Sequence, residues 1–135
     1  MNVNELNIRT NRCTVFELVR KANTHYHLWE FSVFNNKVVE CVLLRVPLNA
    51  ICTIELIQDG SNKVVYGHNI IYSLYNFMHN KIALESNFEE LDGKYFDDLS
   101  NLLKNRFEDT QITIHQLDCK SDAATKEYFI NQVNK

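Results

Sequence analysis

The sequence predicts an α+β fold: an antiparallel β-meander of three to five strands, with an N-terminal helix and two or three helices of the C-terminal half packed on one face. Three observations predict it. Segments that alternate apolar and polar residues coexist with segments carrying an apolar stripe at helical spacing. Turn-forming residues separate the two kinds. The chain of 135 residues, 45% hydrophobic and 23% charged, has the size and composition of one domain with its own core. Residues 1–135 are therefore read as a single domain, with 1–9 frayed.

Residues 12–22 place Val15, Leu18, Val19 and Ala22 on one helical face, with Phe16 at its edge and Glu17, Arg20 and Lys21 opposite, which predicts an amphipathic helix. Residues 25–34 change to period two. Both Asn35 and Asn36 tolerate positive φ, so they predict a type I′ turn into a second strand over 37–46. That register sets Trp29 against Val42, Val33 against Val38 and His27 against Leu44, giving a core face from His25 to Val46. After Pro47, residues 50–57 alternate again, with Cys52, Ile54 and Leu56 inward and Thr53 and Glu55 outward. Asp59-Gly60 turns the chain into a short strand at 63–66.

Asn69 is placed to cap a helix over 70–79 whose stripe is Ile70, Ile71, Leu74, Phe77 and Met78, with Tyr72, Asn76 and His79 outside. Asp92 is placed to cap a helix over 94–107 that buries Phe96, Leu99, Leu102, Leu103 and Phe107. A late strand at 111–117 turns Ile112 and Ile114 inward. A last helix over 123–133, capped by Asp122, buries Phe129, Ile130 and Val133.

Only three glycines and one proline are present, where an average chain draws about 12% of its residues from the two types. Neither G-x-G-x-x-G nor G-x-x-x-x-G-K-[ST] can be written with Gly60, Gly67 and Gly93, so phosphate loops built on clustered glycines are excluded. G-x-S-x-G, H-E-x-x-H and an EF-hand loop are also missing. Seventeen asparagines supply turn chemistry instead, Asn80 among them, because asparagine enters the left-handed region more readily than other non-glycine residues.

Cysteines at 13, 41, 52 and 119 form no C-x-x-C pair, which favours reduced thiols over a disulfide framework. No stretch approaches the roughly 18 apolar residues of a membrane span, and the start Met-Asn-Val-Asn-Glu lacks the features of a signal peptide, so a cytoplasmic protein is expected.

Two constellations suggest chemistry. His25 and His27 would project to one face of a strand and share a metal, with Cys52 as a third ligand if its strand pairs alongside; this is the enzyme alternative, a metal-dependent hydrolase or small-ligand enzyme. The commoner role for such residues is the polar end of a core strand. Asp118-Cys119-Lys120 matches half of a nuclease-type D-x-K pattern, with no second carboxylate to complete it. No cofactor is implied. Arg9, Arg12, Arg20 and Lys21 cluster near the first helix and offer a nucleic-acid alternative, which a pI of about 5.9 disfavours. They are equally suited to pair with acidic groups of the chain itself or of a second copy.

Charge is unevenly distributed. Residues 1–84 hold eight Lys/Arg and six Asp/Glu, net +2, whereas 85–135 hold six and eleven, net −5. Glu85, Glu89, Glu90, Asp92, Asp97 and Asp98, against Lys94 alone, concentrate that charge between 85 and 98. Such a block is usually a solvated face, and Asp97 and Asp98 also suit a helix start. Like charges held together at some cost still suggest a surface that attracts a basic protein. With no catalytic motif in evidence, the sequence favours a small protein-binding protein, of inhibitor, immunity or antitoxin, or adaptor or chaperone type, that contacts its partner through these six residues.

Overall fold

A computed structural model of the chain describes residues 6–25, 32–55 and 62–119. In chain order the elements are β1 (Leu6–Thr14), α1 (Val15–His25), α2 (Asn36–Leu43), β2 (Ile51–Glu55), β3 (Asn62–Tyr66), α3 (His68–Met78), a single 3-10 turn at Phe96–Asp98, α4 (Asn101–Asp109) and β4 (Gln111–Cys119). The fold is mixed α+β. The strands lie in the order β1-β4-β2-β3. β4 is antiparallel to β1 and parallel to β2, and β2 is antiparallel to β3. The sheet is therefore not a meander, because its first and last strands are neighbours.

Capping chemistry explains where most helices begin. Thr14 Oγ1 accepts from the Glu17 backbone N–H at 3.1 Å and donates to Glu17 Oε1 at 3.3 Å, an N-cap that ends β1 and starts α1. The helix expected from residue 12 thus starts three residues later. Residues 12–14 are strand, with Cys13 opposite Ile112, and 6–9 are not frayed but paired with 116–119. Asn35 Oδ1 accepts from the Lys37 N–H at 2.9 Å and caps α2, which replaces the hairpin expected around Asn35-Asn36. Asn35 has φ −120°, so the positive φ of a type I′ turn is not used. Val38, Val39, Val42 and Leu43 are buried at helical spacing, while Val33, Leu44 and Val46 of the expected core face are exposed.

α3 starts at Gly67 (φ 105°) rather than at Asn69, whose Oδ1 accepts instead from the Val33 N–H at 2.8 Å. Ser100 Oγ, not Asp92, caps α4. The stripe of Phe96, Leu99 and Phe107 is buried as expected, but Ser100 interrupts the expected helix and Leu102 stands 67% exposed. Asn76 is buried rather than outward, its side-chain amide donating to the Tyr72 carbonyl at 2.8 Å. On β2, Ile51 and Thr53 face the core, the opposite parity to that expected. Residues 26–31, which include His27 and Trp29, and the helix expected over 123–133 lie outside the described residues.

Helices α2 and α3 end in Schellman motifs. Val46 N–H reaches the Cys41 carbonyl and Lys81 N–H the Asn76 carbonyl, at 2.8 and 2.9 Å. The residues in the left-handed region are Arg45 (φ 61°) and Asn80 (φ 58°). Asn80 performs the glycine-like role its chemistry suggests. Arg45 is an unusual occupant there.

Ile51, Val64, Ile112 and Ile114 share one face of the sheet and join one apolar cluster with Val15, Leu18, Val39, Leu43, Ile71, Leu74, Phe77 and Phe107 of the helices. Thr10 and His115 meet on the other face, Thr10 Oγ1 lying 3.0 Å from His115 Nδ1.

Two substitutions test the backbone argument. A Cβ added at Gly67 would lie 3.0 Å from Ile51 Cγ1 at a φ that side chains rarely adopt, so Gly67→Ala should lower unfolding free energy by about 1–3 kcal/mol in urea titration. Arg45→Gly relieves left-handed strain and should raise it by about 0.5–1 kcal/mol, with an unchanged m-value.

Candidate functional site

The acidic segment follows α3 and is built as a closed loop. Leu84 N–H donates to the Lys94 carbonyl at 2.9 Å, and Gly93 N–H returns to the Leu84 carbonyl at 2.8 Å, so residues 84 and 93–94 form its neck. Gly93 sits at φ 72° to make that return. Leu84 and Leu91 are buried beneath it. Inside the loop, Leu91 and Asp92 N–H both donate to the Phe88 carbonyl. Ser86 N–H donates to Asp92 Oδ1 at 3.1 Å and Phe88 N–H to Ser86 Oγ at 3.1 Å. The loop is tied to α2 through Glu85 N–H, which donates to Asn36 Oδ1 at 2.9 Å.

The chain then enters the 3-10 turn. Tyr95 N–H donates to Asp98 Oδ2 at 3.0 Å, and Asp97 N–H to Asn80 Oδ1 at 2.9 Å. Phe96 plunges into the core just before these aspartates, so Asp97 and Asp98 follow directly on a fixed anchor. Glu85, Glu89, Glu90, Asp92, Asp97 and Asp98 are all exposed. Their roles differ. Asp92 and Asp98 each give an oxygen to a backbone N–H, whereas Glu89 and Glu90 make no hydrogen bond or ion pair among the described residues.

Between these acids stand two large side chains that charge counting missed: Phe88 is 51% exposed and Tyr95 42% exposed. The available signal was their place beside Glu89-Glu90 and Asp97-Asp98, off any helical stripe. An exposed aromatic ringed by charge is the composition of a protein interface more than of a solvated face.

Where the loop meets the first turns of α2, a cleft of about 460 Å³ is lined by Asn36, Lys37, Glu40, Glu85, Ser86, Asn87 and Asp92. Lys37 Nζ lies 3.6 Å from Glu40 Oε1. With three carboxylates and one ammonium, the cleft carries net charge −2. Glu40 is a member that the sequence did not single out.

Compared with family models, curated proteins and solved structures, the chain matches none.

The remaining sequence candidates separate in space. His25 ends α1 and so does not stand on the expected strand, and His27, the other half of the expected pair, lies outside the described residues. Cys52 is on β2, in register with His115 of β4. Among the described residues no group of three His, Cys, Asp or Glu side chains could hold a metal ion. Arg9 and Arg12 are three residues apart on β1 and so belong to opposite faces of the sheet, while Arg20 and Lys21 are on α1. Asp118 and Cys119 pair with Asn7 and Leu6 at the end of β4. Cys13 and Cys41 are free thiols. Burial pushes the Cys13 thiol above its ordinary pKa, the Glu17 carboxylate adds to that, and Lys21 opposes it, so Cys13 is not an activated nucleophile.

Two outcomes follow from this geometry. Asp92→Ala should cost about 1 kcal/mol and speed exchange of the Ser86 amide, whereas Asp92→Asn, which keeps an accepting oxygen, should leave both nearly unchanged. Cys13 should be alkylated at pH 8 several-fold more slowly than a peptide cysteine, and Glu17→Gln should narrow that gap.

Proposed function

We propose that the chain is a small cytoplasmic protein-binding protein that engages a basic partner through the 85–98 surface, in the manner of an inhibitor, an immunity or antitoxin protein, or an adaptor. The observation that carries this reading is the exposure of Phe88 and Tyr95 within six carboxylates on a loop that is internally hydrogen-bonded. Long-range attraction would raise the association rate, and the two aromatic rings would supply the apolar contact that makes a complex last. A loop already held in shape loses little entropy on binding. The cleft beside α2 fits the role of a receptor for one lysine or arginine of the partner. Free thiols at Cys13 and Cys41 accord with a reducing compartment.

The same surface on two copies would repel, so a homodimer, if one forms, would use another face or pair the acids with Arg9, Arg12, Arg20 and Lys21.

The test is recovery of a partner from native lysate on the immobilised chain, followed by titration of the purified partner. Affinity should fall steeply between about 0.1 M and about 1 M salt, where the Debye length shrinks from about 10 to about 3 Å. Glu89→Lys with Glu90→Lys should weaken it by about tenfold or more, chiefly through the association rate, and Phe88→Ala should act chiefly on dissociation. A partner bound equally well by all three proteins, with no salt dependence, would remove this surface from the account.

A further inference from the structure

A second concavity lies at the other end of α2. The chain leaving that helix, Arg45 to Leu48, faces Leu102, Asn105, Arg106 and Asp109 of α4 and the start of β4, enclosing about 450 Å³. Val46, Leu48, Leu102 and Ile112 give it apolar walls, and Leu102 at 67% exposure is held out of the core along its rim.

Arg106 is partly buried in this groove. Its Nη1 donates to the Leu43 carbonyl at 3.1 Å, one of the carbonyls left open at the end of α2. That contact explains half of the guanidinium. Nε is buried with no hydrogen-bond partner, and no carboxylate lies within ion-pair distance of Arg106 among the described residues, although Asp109 lines the same groove. Arg45 adds a second guanidinium from a backbone conformation that favours glycine or asparagine. The groove therefore carries two cations, one anion and an orphaned donor above an apolar wall.

We infer that this groove binds a carboxylate bearing a short apolar tail, its head paired with Arg106 and Arg45 and its tail laid against Val46, Leu48 and Leu102. Rotation of the Arg106 head about Cδ–Nε would bring the buried Nε–H to the carboxylate in exchange for the Nη1 bond to the Leu43 carbonyl, and the charge stays at the end of α2. A planar guanidinium takes a carboxylate through two parallel hydrogen bonds, which an ammonium cannot reproduce. Asp109 lines the same groove and repels a second acidic group, so a monoanion is favoured over a dianion. The head can belong to a free organic acid or to the C-terminus of a peptide.

Titration of the full chain with hexanoate, followed by amide chemical shifts, tests the inference. Saturable shifts are expected at Val46, Thr110 and Gln111, with hexanamide about tenfold weaker. Acetyl-Ala-Leu as free acid and as amide forms the second arm; tighter binding of the peptide acid identifies a chain terminus as the source, and tighter binding of hexanoate a free acid. Arg45→Gly, which should fold at least as well as the parent, and Arg106→Lys, which keeps the charge, should each weaken binding of the better acid about fivefold or more. Shifts that do not saturate, equal binding of acids and amides, or unchanged affinity in both variants would overturn it.

Discussion

Three phenyl rings hold together the parts of this domain that face outward. Phe77 of α3, Phe96 of the 3-10 turn and Phe107 of α4 meet with centroids 5.4, 5.5 and 6.1 Å apart, in tilted and edge-on orientations that aromatic quadrupoles favour. Phe77 and Phe107 are fully buried and Phe96 nearly so. Because Phe96 sits between Asp97 and Tyr95, the same contact that closes the core fixes the C-terminal end of the acidic segment. Because Phe107 follows Arg106, it also sets where α4 presents that arginine. Both candidate surfaces therefore inherit their shape from one apolar cluster.

Much of this was legible in the sequence, and the failures have identifiable physical causes. The faces of α1 and α3 could be read because Leu18, Ile71, Leu74 and Phe77 recur at helical spacing with no competing period. The second helix could not. Val38 and Val42 are four apart, a spacing shared by one helical turn and by two steps along a strand, and Asn35 is equally suited to a hairpin turn and to an N-cap. Val39 and Leu43, adjacent to that pair, carried the deciding signal. β1 was hidden for a different reason. Its residues Ile8, Arg9, Thr10, Asn11 and Arg12 are exposed and show no alternation, so the strand exists through its ladder with β4, more than a hundred residues away. Parity on β2 inverted because Thr53 is buried as if apolar, beside an irregularity in the pairing with β3.

For the candidate site the legible part was charge and the illegible part was context. All six carboxylates of the 85–98 segment could be counted from the sequence, and all are exposed. That Phe88 and Tyr95 would stand among them depended on which aromatics the core had room for, a property of packing and not of spacing. Arg106 was invisible in the same way, since a basic residue in the last turn of a helix is ordinary until its neighbours leave Nε without a partner.

α2 separates the structural from the functional use of these charges. It has eight residues, so its ends are about 12 Å apart, with the acidic cleft against its first turn and the Arg45/Arg106 groove at its last. Carboxylates at the start of a helix and guanidinium groups at its end both complement the helix dipole. Glu85 and Asp92 near Asn36, and the Arg106 bond to the Leu43 carbonyl, are thereby accounted for as supports of α2. Asp98 is accounted for by the Tyr95 N–H. Neither explanation reaches the carboxylates of Glu89, Glu90 and Asp97 or the rings of Phe88 and Tyr95, which lie beyond the cleft lining, nor Arg45, which sits in its groove against its own backbone preference. Charge and apolar area retained without a role in holding the fold together are what recognition requires, so the proposed binding would rest on those residues and on the unpartnered Nε of Arg106 more than on the acidic block as a whole.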